Sequence, residues 1–432
     1  MIKVSEIKNK IEKAKGIKKY YDQLKIGYGG ADDCNCVVGP EPFYISKNEH
    51  EILTQQGRII RKWFEITNKL CRKAYTDKEF KWLAEIIEGR VSPEAVEVHR
   101  RAYRENLVSL PALARADMSD LSSTVEIQVP GSGWGYMTAV HSVTNGSSCL
   151  MGPTNGFGRA ITSLSGNGKM PSAYILYNDN HFHEVKYFCE SCRNDDVALE
   201  MFFKSVPESS QVKFVRRPPL EDLVQYQGAD KLIEAYFKRE IVIEPSLSLI
   251  FDQKIAAAFP FDPRLRDYYS DEIRSIFPET YLIQNDVIPS FDGKLYKWDE
   301  IISLSRKKRS FIVKYAGAKK GLRAGGKAVY NLSDCSLAKA GEIVRYCLKD
   351  WHENRSPWLI QKRVAKKFDV TFLDPELKEI VTKPYYAMFR PMYLFDPKGS
   401  NPEIISHCAL FRKEWKVHGS SDAVTLPVEI KN

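Results

Sequence analysis

Apolar residues recur at helical spacing from 49 to 76, where Ile52, Leu53, Ile59, Ile60, Trp63, Phe64 and Leu70 stand among Lys, Arg and Glu. The pattern continues over 79–88, so residues 1–107 are read as a helical N-terminal part that begins with a lysine-laden amphipathic stretch. From 108 the texture changes to short strand-like runs. Thr124 to Val129 is one, stopped by Pro130, Gly131, Ser132 and Gly133, and 108–170 is read as a strand and Gly/Ser-turn segment. A buried-strand candidate at 172–177, a helix-like stretch running to 203 and a strand at 212–215 give the order β-α-β, whose natural outcome is a parallel sheet. A second buried run at 240–251, a helical stretch at 252–259 and a proline-punctuated region complete a Rossmann-like βαβ middle domain at 171–288. Strands at 310–315, 329–332, 358–364, 385–395 and 404–415 then define a last unit, 289–432. The fold class is multidomain α/β or α+β, without internal repeats.

The 432 residues are 43% apolar and 28% charged, a globular composition that excludes disorder as the dominant state. Lys and Arg (64) exceed Asp and Glu (55) by nine, which suits an anionic small molecule, a nucleotide, an acidic protein or nucleic acid alike. No apolar h-region and no run of about 18 uncharged apolar residues is present, so neither a signal peptide nor a membrane span is expected and the chain reads as cytoplasmic. The nine cysteines do not suggest a disulfide framework. Cys34 with Cys36 and Cys189 with Cys192 could offer four thiolates, but their separation departs from zinc-knuckle spacing and buried thiols are the preferred reading.

The stretch with most chemistry runs from Lys314, at the end of a strand, through a loop holding Gly317, Gly321, Gly325 and Gly326 with Lys319, Lys320, Arg323 and Lys327. A strand-end lysine can meet a phosphate as a point charge while glycine-rich backbone amides cover the rest. The loop lacks GxxxxGK[ST], and no GxGxxG opens a helix here, so P-loop and dinucleotide-fingerprint readings are disfavoured. Further on, the strand from Trp358 turns polar at Gln361, a place where a backbone edge can meet an adenine between apolar walls. Arg390 and Arg412 lie in or near apolar strands, where a guanidinium either faces solvent or meets an anion in a cleft.

Taken in order, Arg115-Ala116-Asp117, then Val125-Glu126-Ile127-Gln128 with its Gly/Ser turn, Asp252-Gln253-Lys254, Val313-Lys314 with the glycine-rich loop, Leu359 to Lys362 and finally Arg412 with a Gly/Ser loop resemble the circularly permuted ATP-grasp ligases, among them glutathionylspermidine synthases and eukaryotic-type glutathione synthetases. The resemblance implies an ATP-grasp fold in circularly permuted order and an ATP-dependent carboxylate-amine ligase. Its cofactors are ATP and Mg2+, and its substrates a small carboxylate and an amine. It places Glu126 and Gln128 on Mg2+, with Gln128 where the family has Asn. Lys254 and Lys314 fall on ATP phosphates, Gly325 and Gly326 in a lid over 316–327, and Ile360, Gln361, Lys362 and Arg363 at the adenine edge. Arg115 and Arg412 take the catalytic positions that orient the carboxylate. The family's metal-binding Glu just after the strand-end lysine has no counterpart, because Ala316, Gly317 and Ala318 stand there. Asp422 filling in, the added bases taking over neutralisation, or loss of catalysis are the three consequences.

The second reading is therefore a catalytically inactive nucleotide-binding or protein-interaction module. A nucleic-acid role draws only on +9 and on clusters such as 306–309, with no RNP or KH signature, and a solvated basic face accounts for these. Small-molecule substrates without nucleic acid or membrane partners are expected. An acidic carrier protein and a homodimer are compatible with the sequence.

Overall fold

The computed structural model describes residues 4–25, 37–129, 133–143, 152–165, 172–177, 182–194, 199–206, 212–319, 321–323, 328–396, 401–417 and 422–431. Three sheets organise it, with a two-stranded hairpin beside them.

The largest sheet has eight strands and is assembled from both ends of the chain. Val37–Val38, Val424–Ile430, Glu403–Arg412, Ile380–Leu394, Leu113–Met118 and Thr124–Gln128 follow one another across it. Lys367–Leu373 pairs with Ile380–Leu394, and Phe43–Ile45 runs parallel to Val424–Ile430. Against it lies the 30-residue helix Lys47–Thr76, started by a capping box in which Ser46 accepts from the Glu49 amide at 3.2 Å and Glu49 accepts from the Ser46 amide at 2.7 Å. Gly57 lets this helix approach the sheet closely, since a Cβ there would stand 2.8 Å from the Tyr393 ring, whose hydroxyl donates to the Leu53 carbonyl at 2.9 Å.

The middle sheet is wholly parallel in the order Leu199–Phe203, Ser172–Tyr177, Val212–Arg216, Val242–Glu244. The expected βαβ order is present, with one correction. The helix Phe182–Asn194 stops well short of 203, and Leu199–Phe203 is a strand beside Ser172–Tyr177. Short apolar runs such as Leu-Glu-Met-Phe-Phe have no periodicity that separates strand from helix. The helical stretch expected over 252–259 is two 3₁₀ turns, Leu249–Asp252 and Ile255–Ala258.

The third sheet is antiparallel, Val329–Asn331, Phe311–Tyr315, Trp358–Lys362 and Thr280–Leu282, so it begins ahead of residue 288. Its two faces differ. Val313, Tyr315, Trp358 and Ile360 pack with Ile343, Val344 and Cys347 of the helix Leu337–Asn354 in one core. Lys314 and Leu359 are paired neighbours on the opposite face. No described helix is long and apolar enough to cross a membrane.

Candidate functional site

Pleating and register build the site. In the hairpin of Leu113–Met118 and Thr124–Gln128, Arg115 is opposite Gln128 and Asp117 opposite Glu126, so all four share one face. Asp117 is the hub. Its carboxylate accepts from Arg115 Nε at 2.8 Å and Arg115 Nη2 at 3.3 Å, Arg390 Nε from the next strand stands 3.5 Å away, and the Gln128 amide donates at 3.2 Å. Burial would raise the Asp117 carboxyl, but Arg115 and Arg390 together hold it below its ordinary value.

Lys314 joins the third sheet to this hairpin. Its ammonium donates to the Val125 carbonyl at 2.9 Å and to Gln361 Oε1 at 3.1 Å, and the Gln361 amide in turn donates to Thr280 Oγ1 at 2.9 Å. Burial pulls Lys314 down to about 8, against the attraction of Glu126. Lys254 arrives from another direction, on the residue before the Ile255–Ala258 turn, with its backbone N–H on the Ala316 carbonyl. Its Nζ lies 3.4 Å from Glu126 Oε1 and donates to the Arg323 carbonyl at 2.6 Å. Arg323 itself is ion-paired with Asp222 of the short helix Leu220–Leu223, so the described part of the expected lid lies over Lys254 and is tied to the connection between the strands Val212–Arg216 and Val242–Glu244 of the parallel sheet.

Five of the expected residues thus converge: Arg115, Glu126, Gln128, Lys254 and Lys314. The others are placed differently. The Ile360 side chain packs into the helix-covered core, and Ile360 and Gln361 both lie within a central strand paired on each side. Gln361 enters the cluster only as the acceptor for Lys314. Lys362 marks the strand end, ion-paired with Asp292 and 3.5 Å from Glu279. Arg363 lies over the rings of Trp415 (5.4 Å) and Tyr386 (5.9 Å). Arg412 is the partner of Tyr386 across the sheet, four residues beyond the partner of Arg390 and so roughly 13 Å further along at the usual strand rise. It donates to Asp422 at 2.7 and 3.0 Å and to the Lys416 carbonyl at 2.6 Å. Asp422 is thereby engaged with Arg412. Gly325 and Gly326, the turn residues 130–132 and the Gly/Ser loop at 419–421 lie outside the described residues, as do Cys34 and Cys36. Cys189 and Cys192 are buried thiols in an apolar core.

Asp117 and Arg390 are central, and the Arg115–Asp117 pair of the Arg-x-Asp motif is a buried ion pair rather than a surface one. The alternation of 115, 117, 126 and 128 was its signal. The donor set does not suit Mg2+, a small hard ion that demands oxygen ligands in near-octahedral order. Glu126 already faces Lys254, and the Gln128 nitrogen, rather than its oxygen, faces Glu126 and Asp117 at 3.2 Å. Ala316 and Ala318, wholly buried apolar residues, stand where the resemblance places a metal-binding Glu. Among the described residues no group of three or more His, Cys, Asp and Glu side chains is placed to hold a metal ion.

No family model matches the chain, and no curated protein matches it. Among solved structures it is similar over 98% of its length, and 97% of the other chain, to a glutathione synthetase-like effector from Globodera pallida in its apo form. The TM-score is 0.54 and the identity 10%, a likeness of fold alone. The architecture is mixed α+β, with several sheets and helices, and is consistent with a glutathione synthetase-like fold.

Proposed function

We propose that the protein is an ATP-dependent carboxylate-amine ligase of ATP-grasp type, with Lys254 and Lys314 as the ligands of the nucleotide phosphates. The observation that carries this reading is the convergence in one cluster of side chains from the Leu113–Met118 and Thr124–Gln128 hairpin, the Phe311–Tyr315 strand and the residue that opens the Ile255–Ala258 turn. No pair of these elements is adjacent in sequence except the hairpin. In the reaction a carboxylate oxygen attacks the γ-phosphorus, the bond from that phosphorus to the β-phosphate oxygen breaks, and ADP leaves. An amine then attacks the acyl carbon, inorganic phosphate leaves with the electrons of the carbon–oxygen bond, and the nitrogen gives up one proton, which the departing phosphate takes. Such chemistry asks the protein for positioning and charge neutralisation rather than a nucleophile. In this reading Lys254 and Lys314 supply positive charge and Arg115 orients the carboxylate.

A second reading, nucleotide binding without turnover, is favoured by the buried alanines at 316 and 318. One experiment separates the two. Full-length protein is titrated calorimetrically with a non-hydrolysable ATP analogue, and ADP release is then followed with paired acid and amine substrates. The ligase reading expects ADP release only when both are present, and at least tenfold weaker analogue binding in Lys314→Ala. Binding without ADP release across a broad panel selects the inactive module, and no binding removes both.

A further inference from the structure

The two carboxylates of the cluster are already answered by cations. Glu126 faces Lys254, and Asp117 is gripped by Arg115 with Arg390 close by. Gln128 adds hydrogen-bond donors to both carboxylates. A divalent cation entering here would displace the Lys254 ammonium, turn the Gln128 amide and sit among further ammonium and guanidinium groups, with Lys314 donating to a carbonyl of the same strand that carries Glu126. An oxyanion meets the opposite situation. Lys254 presents an ammonium that Glu126 holds at 3.4 Å, in a pair whose side chains retain about a fifth of their exposure (19% and 23%). A phosphate oxygen could take over that ammonium while Glu126 relaxes toward solvent, at the modest cost of a partly exposed ion pair. The Arg323 carbonyl on the same Nζ couples this exchange to residues 321–323.

We propose that this cluster binds a phosphoryl oxyanion directly on Lys254, without a divalent cation, and that Glu126 is the internal competitor of that anion rather than a metal ligand. The inference rests on the phosphate-binding reading of the cluster given above and adds that no divalent cation takes part there. It reverses the expected sign of one substitution. Glu126→Gln preserves shape, abolishes a metal ligand's charge and frees the ammonium. If Glu126 held a metal, nucleotide binding would collapse in this variant. If it competes with the anion, binding tightens about two- to fivefold, the scale of a partly exposed ion pair.

The test is calorimetry of the full chain with ADP and with inorganic pyrophosphate, each in EDTA and in excess Mg2+, on wild type, Glu126→Gln and Lys254→Met. Circular dichroism and the thermal midpoint confirm that each variant is folded. Binding in EDTA that Mg2+ does not strengthen, that tightens in Glu126→Gln and falls at least tenfold in Lys254→Met, is the expected result. Binding that requires Mg2+, or that is weakened by Glu126→Gln, overturns the proposal and leaves the nucleotide site standing. Pyrophosphate binding in EDTA without ADP binding upholds the oxyanion site and removes the nucleotide reading. No binding of either ligand under any condition removes both.

Discussion

Asp117 is 5% exposed and Arg115 and Arg390 are 4% exposed each, so three charges share a space nearly closed to water. Burying charge is expensive unless it is paired and hydrogen-bonded, and here the carboxylate receives two bonds from one guanidinium and an amide bond from Gln128. Removing one member of such a set leaves the others buried without it. Asp117→Ala is therefore expected to destabilise the protein by about 3–5 kcal/mol, measured as the shift in urea midpoint at constant slope. Asp117→Asn keeps the shape and loses the charge, and should fall between wild type and Asp117→Ala. A loss under about 1 kcal/mol for the alanine variant would mean that the guanidiniums are satisfied elsewhere and that Asp117 is not the hub.

The long helix Lys47–Thr76 makes two expectations checkable at the level of one element. Ser46→Ala breaks the capping box and should cost about 1 kcal/mol, whereas Gly57→Ala drives a Cβ into the Tyr393 ring and should cost about 1–3 kcal/mol by overpacking. Chemical denaturation of both variants tests the ranking, and a neutral Gly57→Ala would show that the helix can move off its sheet. This helix was readable in advance because its apolar stripe recurs through many turns, and the strands at 172–177, 311–315 and 358–362 were readable because each is a bounded apolar run. Leu199–Phe203 was not, since five mostly apolar residues carry no decisive period. For the site, the alternation of Arg115, Asp117, Glu126 and Gln128 put their shared face within reach of the sequence. The contact of Lys314 with the Val125 carbonyl did not lie within reach, because it depends on two sheets meeting across 189 positions. The face taken by Ile360 is likewise set by which side the helix Leu337–Asn354 covers, which no local pattern reports.

Across the whole molecule, two buried imidazoles give folding a specific response to acid. His99 is fully buried between helices, where its Nδ1 accepts the Leu249 amide at 3.1 Å and its Nε2 lies 2.7 Å from the Tyr75 hydroxyl. With Nδ1 accepting, the neutral ring carries its proton on Nε2, and a second proton would destroy the Leu249 bond. Burial, with Arg100 and Arg217 nearby, pushes His99 down to about 3. His407, buried on the strand Glu403–Arg412, is also pushed down to about 3 by burial and by His50. In the unfolded chain both return to roughly 6.5, so below that pH the unfolded state binds protons that the folded state refuses. Stability is complete above about pH 6.5 and falls as pH drops toward 3, by about 1.4 kcal/mol per pH unit for each histidine once its unfolded form is charged. Asp117 and Glu403, whose carboxyls are held low in the fold, lose their contribution only below the ordinary carboxylate range. Glu244 and Asp252, raised by burial, act with the opposite sign. Urea midpoints between pH 7.5 and 5.5 should therefore fall with acid in wild type and fall less in His99→Gln, the difference approaching one proton at the acid end of the window. Parallel pH profiles for the two proteins would show that His99 takes up its proton within the fold, contrary to the geometry of its two hydrogen bonds.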